Sequence, residues 1–95
     1  MQDKLCEIIN HNGIDKQIIV WIEEMSELTK ELCKYLREKS CMICIKEEIT
    51  DVQVCLDQMK LAFKYTAQDQ KRNYDYKVER ELEREKHIER KMTYK

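Results

Sequence analysis

No proline interrupts this chain, and its 95 residues hold one glycine, Gly13. A hairpin-rich β fold reverses direction repeatedly and draws on glycine, asparagine and proline to do so. Long helices need neither glycine nor proline in their interiors. Glu, Lys and Arg supply most of a charged fraction of 39%, which is the composition of helical surfaces. The chain therefore reads as all-α. Its length suits a single domain over residues 1–95. A domain so small has a thin core of its own, so completion by further copies of the chain is expected.

Acids and bases nearly cancel, at a formal net charge of −1. A general nucleic-acid binder has a basic excess that is missing here. The signs are unevenly spread: carboxylates crowd Glu23 to Asp57, while Lys and Arg are densest from Lys71 onward. That asymmetry fits either a metal site facing a phosphate-binding segment or solvated helix faces. No run of about 18 apolar residues is available for a membrane span, and no signal peptide is recognisable. Five cysteines, an odd count without secretory signals, read as reduced thiols in a cytoplasmic protein.

Leu5, Ile8 and Ile9 predict a short helix from Asp3 to about Asn10. It should stop at His11-Asn12-Gly13, where a left-handed residue is easily supplied. A second helix is expected from Ile14 or Asp15 to about Lys39. A third should start after Ser40, a good N-cap, and continue to about Tyr65. The polar stretch Thr66 to Asn73 reads as a break, and a last helix as residues 74–94 with Val78, Leu82, Ile88 and Met92 as its stripe. The expected architecture is an antiparallel bundle of about four helices. Ile18, Ile22, Met25, Leu32 and Leu36 share one face of the second helix, and Ile45, Ile49, Val52, Leu56, Met59 and Phe63 one face of the third. These stripes predict an antiparallel hairpin packed through them. Ile18-Ile19-Val20-Trp21-Ile22 is apolar on every side, which predicts cover from another subunit.

Each of these two helices also carries two carboxylates three residues apart, Glu24 with Glu27 and Glu48 with Asp51. Residues at that spacing sit on neighbouring turns of one face. Glu48 falls within about 60° of the middle of its stripe, with Asp51 and Glu24 at the stripe borders. Four carboxylates turned into one groove repel unless they hold protons or cations. Hard oxygen ligands in that number suit magnesium, with manganese as the alternative, and such ions also bind substrate phosphates. The competing account is that the acids are surface groups paired with Lys30, Lys34 or Lys46.

Glu23-Glu24-Met25-Ser26-Glu27-Leu28, followed on the next helix by Glu47-Glu48-Ile49-Thr50-Asp51-Val52, resembles the signature of the MazG-like nucleotide pyrophosphohydrolases. That all-α superfamily includes dimeric dUTPases and phosphoribosyl-ATP pyrophosphohydrolases. The similarity spans roughly Ile14 to Arg84. It implies magnesium ligation, and catalysis through the bound metal and water, by Glu24, Glu27, Glu48 and Asp51. Lys77-Val78-Glu79-Arg80 is similar to the family's late basic motif, which gives Lys77 and Arg80 a phosphate-binding role. The implied reaction cleaves a nucleoside triphosphate between the α and β phosphates, releasing a monophosphate and pyrophosphate, in house-cleaning of nucleotide pools. The implied assembly is a homodimer or homotetramer.

Beside the acidic motifs, Lys30 is placed to meet phosphate or to remain a solvated lysine. Trp21, one turn before Glu24, could stack on a base or serve as core. Gln17 could read a base edge or face solvent. Glu23 or Glu47 could orient water, although their wheel positions point away from the groove. Cys41-Met42-Ile43-Cys44 lacks the second ligand pair of a zinc site and the βαβ surroundings of a redox motif, so it reads as ordinary small buried residues. His11 and His87 have no evident catalytic partner. The alternating charges of Glu79 to Arg90 read as a solvated face. Two rival functions use the same features: a non-catalytic helical interaction module, and an inactive MazG-like protein that only binds nucleotide.

Overall fold

The computed structural model describes residues 1–39 and 41–93, with side chains through Ile88. Among them are four helices, α1 (Gln2–Asn12), α2 (Ile14–Leu36), α3 (Met42–Ala62) and α4 (Ala67–Thr93), and no strand. None is long and apolar enough to cross a membrane. The chain divides into two compact units, Met1–Lys64 and Tyr65–Lys95.

The helix ends follow local chemistry. Gly13 closes α1 with its N–H on the Ile9 carbonyl at 2.8 Å and opens α2 directly. Its φ of 80° is positive as expected, but its ψ of 154° is extended rather than coiled. Only glycine enters that region readily. The second helix stops at Leu36, short of the expected Lys39. There the Lys39 N–H reaches the Lys34 carbonyl at 2.9 Å and the Glu38 N–H reaches Tyr35 at 3.0 Å. With Glu38 at φ 59°, this is a Schellman ending built without glycine. Ser40, the expected cap of the third helix, lies outside the described residues. Cys41 is the N-cap, its sulfur accepting the Cys44 N–H at 3.3 Å.

In the second unit, the expected break is instead the start of a helix. Thr66 Oγ1 accepts the Asp69 N–H at 3.1 Å while Asp69 Oδ2 accepts the Thr66 N–H at 3.0 Å. This reciprocal capping box nucleates α4 at Ala67. Hydrogen bonding from the Thr66 backbone N–H first, and then from its hydroxyl, holds the Asp69 carboxyl below its ordinary range. Val78, Leu82 and Ile88 of the expected stripe are exposed, and the Met92 side chain is outside those described. Arg72–Asp69, Arg84–Glu81 and Lys86–Glu83 form i,i+3 ion pairs on α4, exposed enough to contribute little.

In the first unit, α2 and α3 pack against each other and α1 packs on both. The pair is antiparallel, since Gln17 and Trp21 near the start of α2 meet Gln58 near the end of α3. The packed face differs from the expected one. Gln17, Trp21, Glu24, Leu28 and Glu31 form the sheltered line of α2. The expected stripe residues Ile18, Ile22, Met25 and Leu32 each stand one residue further on, about 100° round the helix. Ile22, Met25, Leu32 and Leu36 are exposed, Leu36 at 81%, and Ile18 is half-buried. On α3, Ile45 is buried and Val52 and Met59 are half-buried, but Ile49, Leu56 and Phe63 are exposed. The apolar periodicity reports an outward face on α2 and straddles the seam on α3, because amides and carboxylates share the inner positions with Ile45, Val52 and Met59.

Polar bonds satisfy the amide end of that seam. Gln58 Oε1 accepts the Trp21 indole N–H at 2.8 Å and a Gln17 amide N–H at 3.1 Å. Gln17 Oε1 accepts from Asn12 at 2.8 Å, which ties α1 to the pair. Buried amides with partners escape the penalty of orphaned polar groups. Trp21, 2% exposed, also meets the Phe63 ring edge-on at a centroid distance of 6.0 Å.

Candidate metal centre

Two turns along the seam from the amides lie the acids. Glu24 on α2 and Glu48 and Asp51 on α3 bring one carboxylate oxygen each within 4.8 Å of one another. Glu24 and Glu48 are half-buried and Asp51 is exposed. On α2 the arrangement follows from the same rotation that turns the apolar stripe outward, and on α3 from the packed position of Ile45. Glu24 lies three residues after Trp21, and Glu48 three after Ile45, so both fall on the packed faces.

Glu48 is the anomalous member. Its Oε2 is buried and has no hydrogen-bond partner. Burial holds its carboxyl above the ordinary range, and the negative charges of Asp51, Glu24, Glu27 and Glu31 push it further in the same direction. None of the ion pairs among the described residues reaches Glu24, Glu48 or Asp51. Lys34, one of the expected neutralising lysines, pairs with Glu31 at 3.2 Å. An orphaned buried carboxylate oxygen beside two more carboxylates fits a hard divalent cation, whose coordination would satisfy it. Magnesium or manganese is accordingly expected to raise the unfolding midpoint of the protein, by about 2.7 kcal/mol of stability at a hundredfold excess over Kd. Thermal unfolding with and without chelator checks this, and a cation-independent midpoint removes the metal reading.

The remaining site candidates are distributed differently. Glu27 is exposed and outside the close triad, although its charge is felt by Glu48. Glu23, Glu47 and Lys30 are exposed. Lys77 and Arg80 are exposed on α4, in the second unit, with the Arg80 guanidinium 5.7 Å from the Tyr76 ring centroid. Trp21 corrects the stacking expectation: its rings are covered and its N–H is engaged, so it serves as core. Gln17 is buried rather than solvent-facing.

Three contributors were missed in the sequence. Glu31, one turn beyond Glu27, adds negative charge to the cluster and was discoverable from the Glu24–Glu27–Glu31 spacing. Gln58 and Asn12, by contrast, carry no local signal, because their role depends on how three helices meet. With Gln17 they line a pocket of about 260 Å³ whose wall includes Glu24 and Asp51 and whose apolar surface includes Ile8, Val20 and Val54. Cys55 also lines it, its thiol pushed up by burial first and then by Glu24 and Asp51.

Comparisons with protein-family models, with curated proteins and with solved structures return no match to this chain.

Proposed function

We propose that this chain is a magnesium-dependent nucleoside triphosphate pyrophosphohydrolase of the MazG-like type. The observation that carries the reading is the convergence of Glu24, Glu48 and Asp51 from two facing helices, with a buried Glu48 oxygen that lacks a partner. The adjoining pocket supports it by supplying room for an organic group next to the carboxylates.

In this account Glu24, Glu48 and Asp51 hold the cation, and Glu27 stands at the exposed edge of the cluster. The bound cation supplies charge neutralisation for the phosphates and a lowered pKa for water. Asn12 and Gln58 then offer amide groups to the nucleobase, held in place by Gln17, which is buried and bonded to both. Gln58 spends its oxygen on Trp21 and Gln17, which leaves its amide nitrogen for a ligand or water. Lys30 is the cation of the first unit proposed for the phosphates; the phosphate-binding role of Lys77 and Arg80, in the second unit, rests on the resemblance alone. The outward Ile22, Leu32, Ile49, Leu56 and Phe63 are the surface proposed to be covered in a homodimer or homotetramer. The reading includes cytoplasmic house-cleaning of nucleotide pools.

Pyrophosphate release from a panel of ribo- and deoxyribonucleoside triphosphates, with magnesium and with chelator, tests the activity. Release that needs magnesium is expected for a subset of bases. No release from any triphosphate sinks the hydrolase and turns the exposed apolar faces into the leading evidence for a helical interaction module.

A further inference from the structure

Cys41-Met42-Ile43-Cys44 has no part in the carboxylate centre. Among the described residues, the only group of three or more ligating side chains is the carboxylate triad, so the cysteines lack the ligand set of a zinc site. The absence of a βαβ unit is less decisive than it looks from sequence. What activates a cysteine is its microenvironment, and a helix N-terminus is one that serves. That element is present at the start of α3.

Cys41 caps a helix of 21 residues, with φ −110° and ψ 118°. Its sulfur accepts the Cys44 N–H at 3.3 Å. No acidic residue occupies the first turn of α3, so the helix terminus favours a negative sulfur, opposed by burial and by the charge of Glu31 on α2. Cys41 is exposed and Cys44 is half-buried one turn later. Cysteines three apart around one turn have Cβ atoms roughly 5–6 Å apart, so closing to the roughly 3.5–4.5 Å of a disulfide requires the cap to move inward and its sulfur to release the Cys44 N–H.

We propose that Cys41 and Cys44 form a dithiol–disulfide centre that exchanges with small-molecule disulfides, Cys41 attacking and Cys44 resolving. The Cys41 thiolate attacks one sulfur of the disulfide RSSR, forming a Cys41–S–SR mixed disulfide and expelling RS⁻. The Cys44 thiol, giving up its proton to RS⁻ or solvent, then attacks the Cys41 sulfur and expels the second RS⁻. The two cysteines are oxidised to one disulfide, and RSSR is reduced to two thiols.

The acidities of the two thiols suit these roles. Hydrogen bonding from the side chain and backbone of Cys44 holds the Cys41 thiol below its ordinary value. The bond to Cys41, with burial next, pushes Cys44 up to about 11. Charges on Glu31 and Glu47 add to that rise. The exposed thiol is thereby the attacking group, and its neighbour keeps its proton until the mixed disulfide forms.

Oxidised glutathione added to the reduced full chain tests this, read by mass spectrometry on the tryptic peptide that follows Lys39 and ends at Lys46. That peptide holds Cys41 and Cys44 and no other cysteine. Wild type should finish with the peptide lighter by two hydrogens and free of glutathione. Cys44→Ser should stop with one glutathione on Cys41, whereas Cys41→Ser should leave Cys44 unmodified over the same time. Serine is itself a good N-cap, so both variants keep the start of α3. In wild type at neutral pH, iodoacetamide should label Cys41 on the order of fivefold faster than Cys33, an exposed cysteine inside α2. Labelling of Cys33 or Cys6 as fast as Cys41, or a wild-type protein that retains glutathione on Cys41, overturns the proposal. These readouts do not depend on the carboxylate centre or on nucleotide turnover.

Discussion

Glu48→Gln is expected to reduce magnesium-dependent pyrophosphate release by on the order of a hundredfold or more, since even supporting groups around a metal are worth 10- to 100-fold. The same substitution should make the metal-free protein more stable. Ordinarily a mutation that harms function at a half-buried position also harms folding. Here the two separate because Glu48 is a liability until a cation arrives. Its Oε2 has no partner and its neighbours are acids. Glutamine keeps the shape, removes one charge, and brings an N–H₂ that can donate to Glu24 or Asp51.

The pH dependence follows from the direction of the shift. The folded-state carboxyl of Glu48 lies above the ordinary value, so as pH rises the unfolded chain releases this proton first. Stability therefore falls from the ordinary carboxyl range upward through the raised folded value, and the penalty is complete above it. Below the ordinary value both states are protonated and the penalty is absent. In chelator, the advantage of Glu48→Gln over wild type should open across that window and vanish under more acidic conditions. Thermal unfolding of both proteins at a series of pH values checks it. A glutamine variant that is less stable than wild type at neutral pH, without metal, removes the argument from repulsion.

Trp21→Ala is expected to unfold most of the first unit. Truncating a buried tryptophan costs about 3–5 kcal/mol. At 0.05–0.15 kcal/mol per residue, the Met1–Lys64 unit holds only about 3–10 kcal/mol in total. The loss also deprives Gln58 Oε1 of its shorter bond, 2.8 Å from the indole, and removes the edge contact with Phe63. Trp21→Phe separates the contributions. It keeps most of the apolar bulk and leaves the Gln58 oxygen with Gln17 alone, so its cost should lie nearer 1–3 kcal/mol. Urea unfolding followed by far-UV circular dichroism measures both. Equal costs for the two variants would mean that ring burial contributes little.

The helices were legible because turn-forming residues are so scarce that few breaks are possible. Gly13 marked the first boundary correctly. The end of α2 was misread because Glu38 takes the left-handed position that glycine usually occupies. The start of α4 was hidden by its own polarity, although Thr66 and Asp69 carry the spacing of a capping box. Pairing of Glu24, Glu48 and Asp51 could be read from i,i+3 spacing and position on the helical wheel. Which face of α2 meets α3 could not. Hydrophobic periodicity is a reliable guide when the seam is apolar, but here Gln17, Gln58, Glu24 and Glu48 occupy seam positions and Ile22, Leu32, Ile49 and Leu56 look outward. For the same reason Trp21 was offered both as base stacker and as core, and only the packing decides for core.

The Gln17–Trp21–Gln58 cluster also fixes something that apolar packing leaves loose. Isoleucines and leucines slide past one another at modest cost, whereas an indole N–H and two amides match only at one alignment of α2 with α3. That alignment is also the one that brings Glu24 opposite Asp51. The cluster is a ruler: by setting the offset of two rods at one end, it sets the spacing of the charges further along. Substitution of the outward isoleucines and leucines therefore leaves the spacing of the acids where the amides and the indole set it.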